Sequence, residues 1–352
     1  MNSESLSIDA KRVVAITPLP GSAYEGTLSV VWAVGRRCNY ACSYCDKEFH
    51  DRVSPHRTFD ELRTVWSNIK RAMTERGLNT AAIEFTGGEP TLNPDFDAFV
   101  KYLHETQRPW LRMMGLTTNG TQTLEYYEHL TQYIEWICFS THLEWWDERD
   151  FMTKLLDLKR IVDRRAPRAT INVNVMYETW SMPQVQKISD IVQAEKIQNL
   201  PIFVHNIYGS KGIINKASRS FDYAAYLVDH DAPDAAVVSG ATDDRPFADK
   251  LLVHSNAVDN PDTQIELDDK TVVPIHSQVL VNLRVDHFPD WRCNAGRDRI
   301  FINVDGKVYG GMCRMGEIGE MLDTFRLLDQ PVTCDGRACS CMGDVRVAKW
   351  KS

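Results

Sequence analysis

No stretch of this 352-residue chain approaches the roughly 20 consecutive apolar residues of a membrane-spanning helix. Its first residues, Met1-Asn2-Ser3-Glu4-Ser5-Leu6, lack a basic region followed by an apolar core, so no secretory signal is visible. Positive charge is in deficit, with 40 Lys and Arg against 48 Asp and Glu and a net charge of -8. That balance argues against a broad nucleic-acid or anionic-membrane surface, leaving room only for a local basic patch. With 43% hydrophobic and 25% charged residues, wholesale disorder is excluded as well. The expectation is a soluble, cytoplasmic protein without a membrane partner. Its length is ample for a sizeable core.

Cysteine is not scarce, but its distribution is uneven. Eight of the nine fall into two groups: Cys38, Cys42 and Cys45, then Cys293, Cys313, Cys334, Cys339 and Cys341. In a long chain with no secretory signal such grouping favours metal over disulfides. Cys138, within Trp136-Ile137-Cys138-Phe139, reads as a small buried hydrophobe. The early group, Cys38-Asn39-Tyr40-Ala41-Cys42-Ser43-Tyr44-Cys45, follows the apolar run Leu28 to Val34. A soft-metal site therefore lies on a loop at the end of a predicted strand. Mononuclear zinc wants four ligands in paired short spacings, and His50 is the one nearby candidate for a fourth. Three thiolates are what remains when one iron of a four-iron, four-sulfur cluster stays open to another ligand. From spacing alone, a zinc-binding or redox-inert loop stays open as the alternative.

Strand and helix patterns alternate six times between residues 28 and 208. Thr58-Phe59-Asp60-Glu61 is a capping-box pattern opening a helix through Leu62, Val65, Trp66, Ile69 and Met73, stopped by Gly77. The strand Ala81 to Phe85 runs into Thr86-Gly87-Gly88-Glu89-Pro90, where glycines permit close backbone approach and the acid can accept from an ammonium. Later predicted strands cover Leu111 to Leu116, Ile134 to Phe139, Thr170 to Met176 and Pro201 to Asn206, separated by helices. In the fifth strand Ile171, Val173 and Val175 share one face, and Asn172 and Asn174 the other, toward the interior. Such alternation argues for parallel strands curved into an open barrel with its site at their carboxyl ends. Asn119, Ser140, His142, Asn174 and His205 fall at those ends, the histidines as substrate ligands, proton carriers or plain structural residues. Arg36 and Arg37 precede the cysteines, as compensating charge or as surface ion-pair partners.

The spacing Cys-x3-Cys-x2-Cys with Tyr44 before the last Cys, followed one strand-helix unit later by Gly87-Gly88-Glu89-Pro90, resembles the radical S-adenosylmethionine (radical SAM) superfamily. The resemblance implies a partial (β/α)6 barrel of α/β class. It implies a four-iron, four-sulfur cluster on Cys38, Cys42 and Cys45 whose open iron is chelated by S-adenosylmethionine, cleaved to a 5'-deoxyadenosyl radical that abstracts hydrogen from substrate. It places Tyr44 beside the adenine and has Gly87, Gly88 and Glu89 bind the methionine amine. Asn119 belongs to the same cofactor face, and Ser140 and Asn174 would reach the ribose or carboxylate.

Residues 1–27 read as an N-terminal extension with a short strand at Val13 to Ile16, 28–208 as the barrel, and 209–291 as an irregular capping or connecting segment. Within that segment, Thr263 to Leu267 and Val272 to Ile275 suggest a β-hairpin. In 292–352, Asp305-Gly306 lies between two strand-like runs and reads as a tight turn with positive φ at both central positions. Cys293 and Cys313 flank that hairpin, and Cys334, Cys339 and Cys341 share a later loop. The arrangement resembles the auxiliary-cluster domains of radical SAM enzymes, the short twitch form of the SPASM domain. The resemblance implies a second four-iron, four-sulfur cluster, with five cysteines competing for four places; a structural zinc knuckle is the alternative. The functional expectation is hydrogen abstraction from a small polar metabolite, with an oxidoreductase-type dehydrogenation assisted by the second cluster as one form of it. Flavodoxin or ferredoxin would donate the electron. The alternatives are modification of a peptide or protein, and a non-catalytic iron-sulfur electron carrier.

Overall fold

The computed structural model describes residues 12–45, 47–165, 169–177, 182–203, 261–282, 285–336, 339 and 341–352. Two mixed α/β layers organise them. The larger sheet has nine strands. Its heart is six consecutive parallel strands, β2 (Leu28–Ala33), β3 (Ala81–Thr86), β4 (Leu111–Thr118), β5 (Trp136–His142), β6 (Thr170–Tyr177) and β7 (Gln198–Phe203). Helices α1 (Phe59–Arg76), α2 (Phe96–Thr106), α3 (Leu124–Leu130), α4 (Glu148–Arg164) and α5 (Met182–Ala194) connect them in turn.

Strand alternation decides which face the helices cover. Leu28, Val30 and Trp32 of β2, Ile83 and Phe85 of β3, and Ile171, Val173 and Val175 of β6 pack with Trp66, Phe99, Leu155 and Val192 from the helices in one core. Asn172 and Asn174 therefore look the other way, as the alternation predicts. Helix α1 shows the expected ends. The Glu61 N–H donates to Thr58 Oγ1 and the Thr58 N–H to Glu61 Oε2, while Gly77 closes the helix at φ +74°. Strand β5 runs on through Ser140 and Thr141 to His142.

The carboxyl-terminal segment is stitched into this sheet. Strand β11 (Arg299–Ile302) pairs in parallel with β2, and β12 (Lys307–Tyr309) and β13 (Glu317–Glu320) follow antiparallel. The β11–β12 hairpin carries Asp305-Gly306, but only Gly306 has positive φ, at +97°. The Gly306 N–H donates to the Asn303 carbonyl and the Asn303 N–H to the Lys307 carbonyl. This is a turn closed by a glycine bulge, not the two-residue turn the dipeptide suggests.

A second, six-stranded sheet gathers both ends of the chain in the order β14 (Val332–Thr333), β10 (Arg292–Cys293), β15 (Lys349–Trp350), β1 (Val13–Pro18), β8 (Thr263–Leu267) and β9 (Val272–Ile275). β8 and β9 form the hairpin expected from their alternation. Helices α6 (Ser277–Asn282) and α7 (Met342–Arg346) pack on it, with Ile16, Ile265, Leu280, Phe288 and Val345 in its core. His205 lies outside the described residues. Among those described, no helix is long and apolar enough to cross a membrane.

Candidate active site

The early cysteines leave the carboxyl end of β2 on a loop docked to its neighbours through backbone. The Cys38 N–H donates to the Asp51 carbonyl and the Asp51 N–H to the Arg36 carbonyl, so residues 36–38 and 51 run side by side. Asp51 accepts from the Val53 and Ser54 amides and the Ser54 hydroxyl, which lowers its carboxyl to about 2. Arg36 reaches Asp51 at 3.5 Å and the Lys47 carbonyl, and Arg37 donates to the Arg52 carbonyl. Both arginines thus tie the loop together, Arg36 through the ion pair expected of at least one of them and Arg37 through a backbone carbonyl.

The Gly-Gly segment after β3 lies against the same loop. The Gly88 N–H donates to the Gly35 carbonyl and the Glu89 N–H to the Arg37 carbonyl, each at 2.8 Å. A Cβ on Gly87 would sit 2.6 Å from the Gly35 oxygen, and one on Gly88 would sit 2.3 Å from the Arg36 oxygen. Close approach is therefore what both glycines permit, and the partner approached is the cysteine loop. Glu89 itself is 3% exposed. Its carboxylate accepts from the Thr91 N–H and hydroxyl, the Thr118 hydroxyl and the Asn119 N–H, at 2.7–3.1 Å. Burial raises the Glu89 carboxyl, and those donors oppose the rise.

Asn119 carries the connection onward. Its side-chain amide donates to Asn39 Oδ1 at 2.8 Å and approaches Cys38 Sγ at 3.9 Å. Cys38 Sγ also accepts from the Tyr40 N–H at 3.4 Å. Burial pushes the Cys38 thiol up to about 11, while these donors pull against it. Cys42 is raised by burial and feels the charges of Cys45, Glu144 and Cys38. All three thiols are free of disulfides. Among the described residues no group of three or more His, Cys, Asp or Glu side chains has the geometry of a bound metal, so the thiols are neighbours rather than a finished cage.

Tyr44 is buried and stacks on His142 with centroids 6.0 Å apart and rings 14° from parallel, its hydroxyl bonded to His142 Nδ1. Burial lowers His142 to about 4, so the ring is neutral at physiological pH and does not titrate there. On the sheet face away from the helices, Ser140 stands opposite Asn174 in the β5–β6 register, and both are buried. Asn174 Oδ1 has no hydrogen-bond partner among the described residues. The structure thus brings Gly87, Gly88, Glu89 and Asn119 to the cysteine loop that carries Tyr44, and sets Ser140 and Asn174 on the sheet face away from the helices.

Two residues of the site carry no motif. Glu144, 3% exposed, accepts from the Ser43 N–H at 2.8 Å and anchors the cysteine loop. Asn39 receives Asn119 and donates to Thr121 Oγ1. Glu144 lies two residues beyond β5, where the clustering of polar groups at strand ends was its only signal.

Residues 32–172 match the Radical SAM superfamily. The match is to a radical SAM domain and spans less than half of the chain. The domain's cysteine and Gly-Gly-Glu-Pro motifs both fall inside the match. A GTP 3',8-cyclase of Nautilia profundicola is 39% identical over 98 residues, 28% of this chain and 29% of that protein. The GTP 3',8-cyclase of Haemophilus ducreyi is 32% identical over 170 residues, 46% of this chain and 48% of that one. The chain thus aligns with less than half of the length of either relative. Among solved structures, a histidine-tagged anSMEcpe with bound AdoMet gives a TM-score of 0.47 at 15% identity over 85% of this chain and 76% of that one. Streptococcus suis SuiB bound to the precursor peptide SuiA gives 0.40 at 17% identity, over 59% and 47%.

Proposed function

We propose that this chain is a radical SAM enzyme, with a four-iron, four-sulfur cluster on Cys38, Cys42 and Cys45 and S-adenosylmethionine bound beside it. The observation that carries the proposal is the joint between the cysteine loop and the Gly-Gly-Glu-Pro segment: two backbone hydrogen bonds, and the chain Glu89–Asn119–Cys38. The donor set fits the cluster, with three cysteines outside any disulfide on one loop and N–H groups directed at Cys38 Sγ. When bound, the cofactor pair supplies reductive cleavage of the sulfonium and a 5'-deoxyadenosyl radical.

The chain's residues then have separable tasks. The Gly88 and Glu89 N–H groups are engaged by the cysteine loop, so a methionine amine would be met by acceptors, the Glu89 carboxylate among them. Asn174 Oδ1, a buried acceptor facing away from the helices, suits a ribose hydroxyl. The Tyr44–His142 stack offers a flat apolar wall for adenine, and the neutral imidazole keeps a cation out of that wall.

The finer reading is a partial (β/α)6 barrel over 28–208 and a twitch-like unit over 292–352 with a second cluster. The substrate would be a small polar metabolite, with flavodoxin or ferredoxin as electron donor. The curated relatives are named for GTP, a small molecule, which supports that class of substrate. Because they are also named as cyclases, hydrogen abstraction is the proposed step, with dehydrogenation and rearrangement as its two outcomes.

Anaerobically reconstituted protein given S-adenosylmethionine and dithionite is expected to release 5'-deoxyadenosine, and the Cys42→Ala variant to release none. An intact cluster on the first three cysteines with no 5'-deoxyadenosine formed would overturn the enzyme reading.

A further inference from the structure

Lys349 is a buried cation without a buried anion to match it. Its side chain sits in β15 at 1% exposure. The ammonium donates to the carbonyls of Asp344 and Val345 at 2.6 and 2.8 Å and lies 4.8 Å from the Phe288 ring centroid. Among the described residues no carboxylate lies within ion-pair distance of it. Holding an ammonium out of water costs several kcal/mol unless a negative group compensates, and two neutral carbonyls are partial compensation only.

Thiols lie near it instead, and like the early three they are neighbours rather than a finished metal cage. Cys293 and Lys349 are direct cross-strand partners in the β10–β15 ladder, so their side chains share a face. Val332 opposes Cys293 from the other side, and Cys334, two positions further on, returns to that same face; its N–H donates to the Trp291 carbonyl. Cys339 and Cys334 are buried in the same apolar cluster as Phe288, the ring over which Lys349 lies. The Cys313 N–H donates to the carboxylate of Asp344, whose carbonyl holds Lys349. Charge coupling groups the same four: Cys339 feels Lys349, Cys293 and Cys313, and Cys313 feels Cys293 and Cys334.

Cys341 is coupled to Asp344, Arg299 and Glu84 instead of to the other thiols or Lys349. Its Sγ accepts from the Asp344 N–H, capping α7, and from Arg299, each at 3.4 Å.

We propose that Lys349 is the counter-cation of a four-thiolate metal group formed by Cys293, Cys313, Cys334 and Cys339, with Cys341 outside the group. The inference rests on the reading of the late cysteines as a metal site. A positive charge beside an iron-sulfur cluster favours the reduced form, which carries one more negative charge, so Lys349 raises the cluster's reduction potential. It is a positioning and charge-compensating residue, not a catalytic one.

The full chain with Cys38, Cys42 and Cys45 all changed to Ala isolates the late site. Reconstituted with iron and sulfide, it is expected to bind about four irons, to keep them in the Cys341→Ser background and to lose them with Cys313→Ala. Iron lost on Cys341→Ser would overturn the ligand assignment. In an EPR-monitored redox titration, Lys349→Met is expected to lower the midpoint potential at unchanged iron content, and Lys349→Arg to restore it. An unchanged potential in Lys349→Met with the cluster intact would overturn the counter-cation role, since a purely structural lysine would change stability and not potential. Zinc in place of iron would sink the cluster reading alone. Zinc release to a chelator would then be faster in Lys349→Met than in Lys349→Arg, and equal rates would overturn the counter-cation too. A late site binding neither metal would overturn the whole proposal.

Discussion

Every hydrogen bond that Glu89 makes through its side chain is one it accepts. Four donors converge on its two oxygens: the Thr91 amide and hydroxyl, the Thr118 hydroxyl and the Asn119 amide. A glutamine of the same shape would bring an NH2 group against at least one of these donors, leaving buried polar groups facing like groups. Glu89→Gln is therefore expected to cost about 1–3 kcal/mol of stability and to weaken S-adenosylmethionine binding at the same time. Chemical denaturation and equilibrium binding measure the two effects. An unchanged denaturation midpoint would show that the four donors do not require a carboxylate. The motif made Glu89 visible in the sequence, but not this structural role. Contacts to Thr118 and Asn119 join residues 29 and 30 positions apart, which no local spacing displays.

At the scale of elements, the site depends on two loops from neighbouring parallel strands being able to touch. Gly88→Ala would place a methyl 2.3 and 2.4 Å from the backbone oxygens of Arg36 and Arg37, where nothing can swing aside. Gly35→Ala, on the facing loop, would meet nothing within 4 Å. Overpacking of this kind costs about 1–3 kcal/mol. The expectation is a lowered denaturation midpoint and loss of 5'-deoxyadenosine formation for Gly88→Ala, with both preserved for Gly35→Ala. Equal behaviour of the two variants would show that the close contact is unimportant. The elements themselves were largely legible, because periodicity and caps are local signals: the Thr58–Glu61 box and Gly77 bound α1 as expected, and β8–β9 pair as their alternation suggests. Boundaries shifted at strand starts, as where the strand expected from Ile134 begins at Trp136. The Asp305-Gly306 turn failed because Asn303 can close the turn one residue earlier, leaving only the glycine at positive φ.

Over the whole molecule, what the sequence conceals is how its carboxyl-terminal part meets the rest. Strand β11 aligns Arg299 with Ser29, and β1 lies between β15 and β8, pairings with no periodic trace because the partners are hundreds of residues apart. Arg299 is where the two layers are joined: from the nine-stranded sheet it donates to Asp344 Oδ1 at 2.7 Å, to Ser29 Oγ and to Cys341 Sγ, while Asp344 belongs to α7 beside the second sheet. The two side chains are 1% and 4% exposed, so removing one strands the charge of the other. Breaking a buried pair in this way costs about 3–5 kcal/mol, whereas replacing both partners by apolar groups can be nearly neutral. Asp344→Leu is therefore expected to lower the urea midpoint strongly, and Arg299→Met with Asp344→Leu to recover part of that loss. Recovery is incomplete because Asp344 also accepts the Cys313 N–H, a bond no leucine replaces. A double variant as unstable as the sum of the single ones would show that the pair is not coupled.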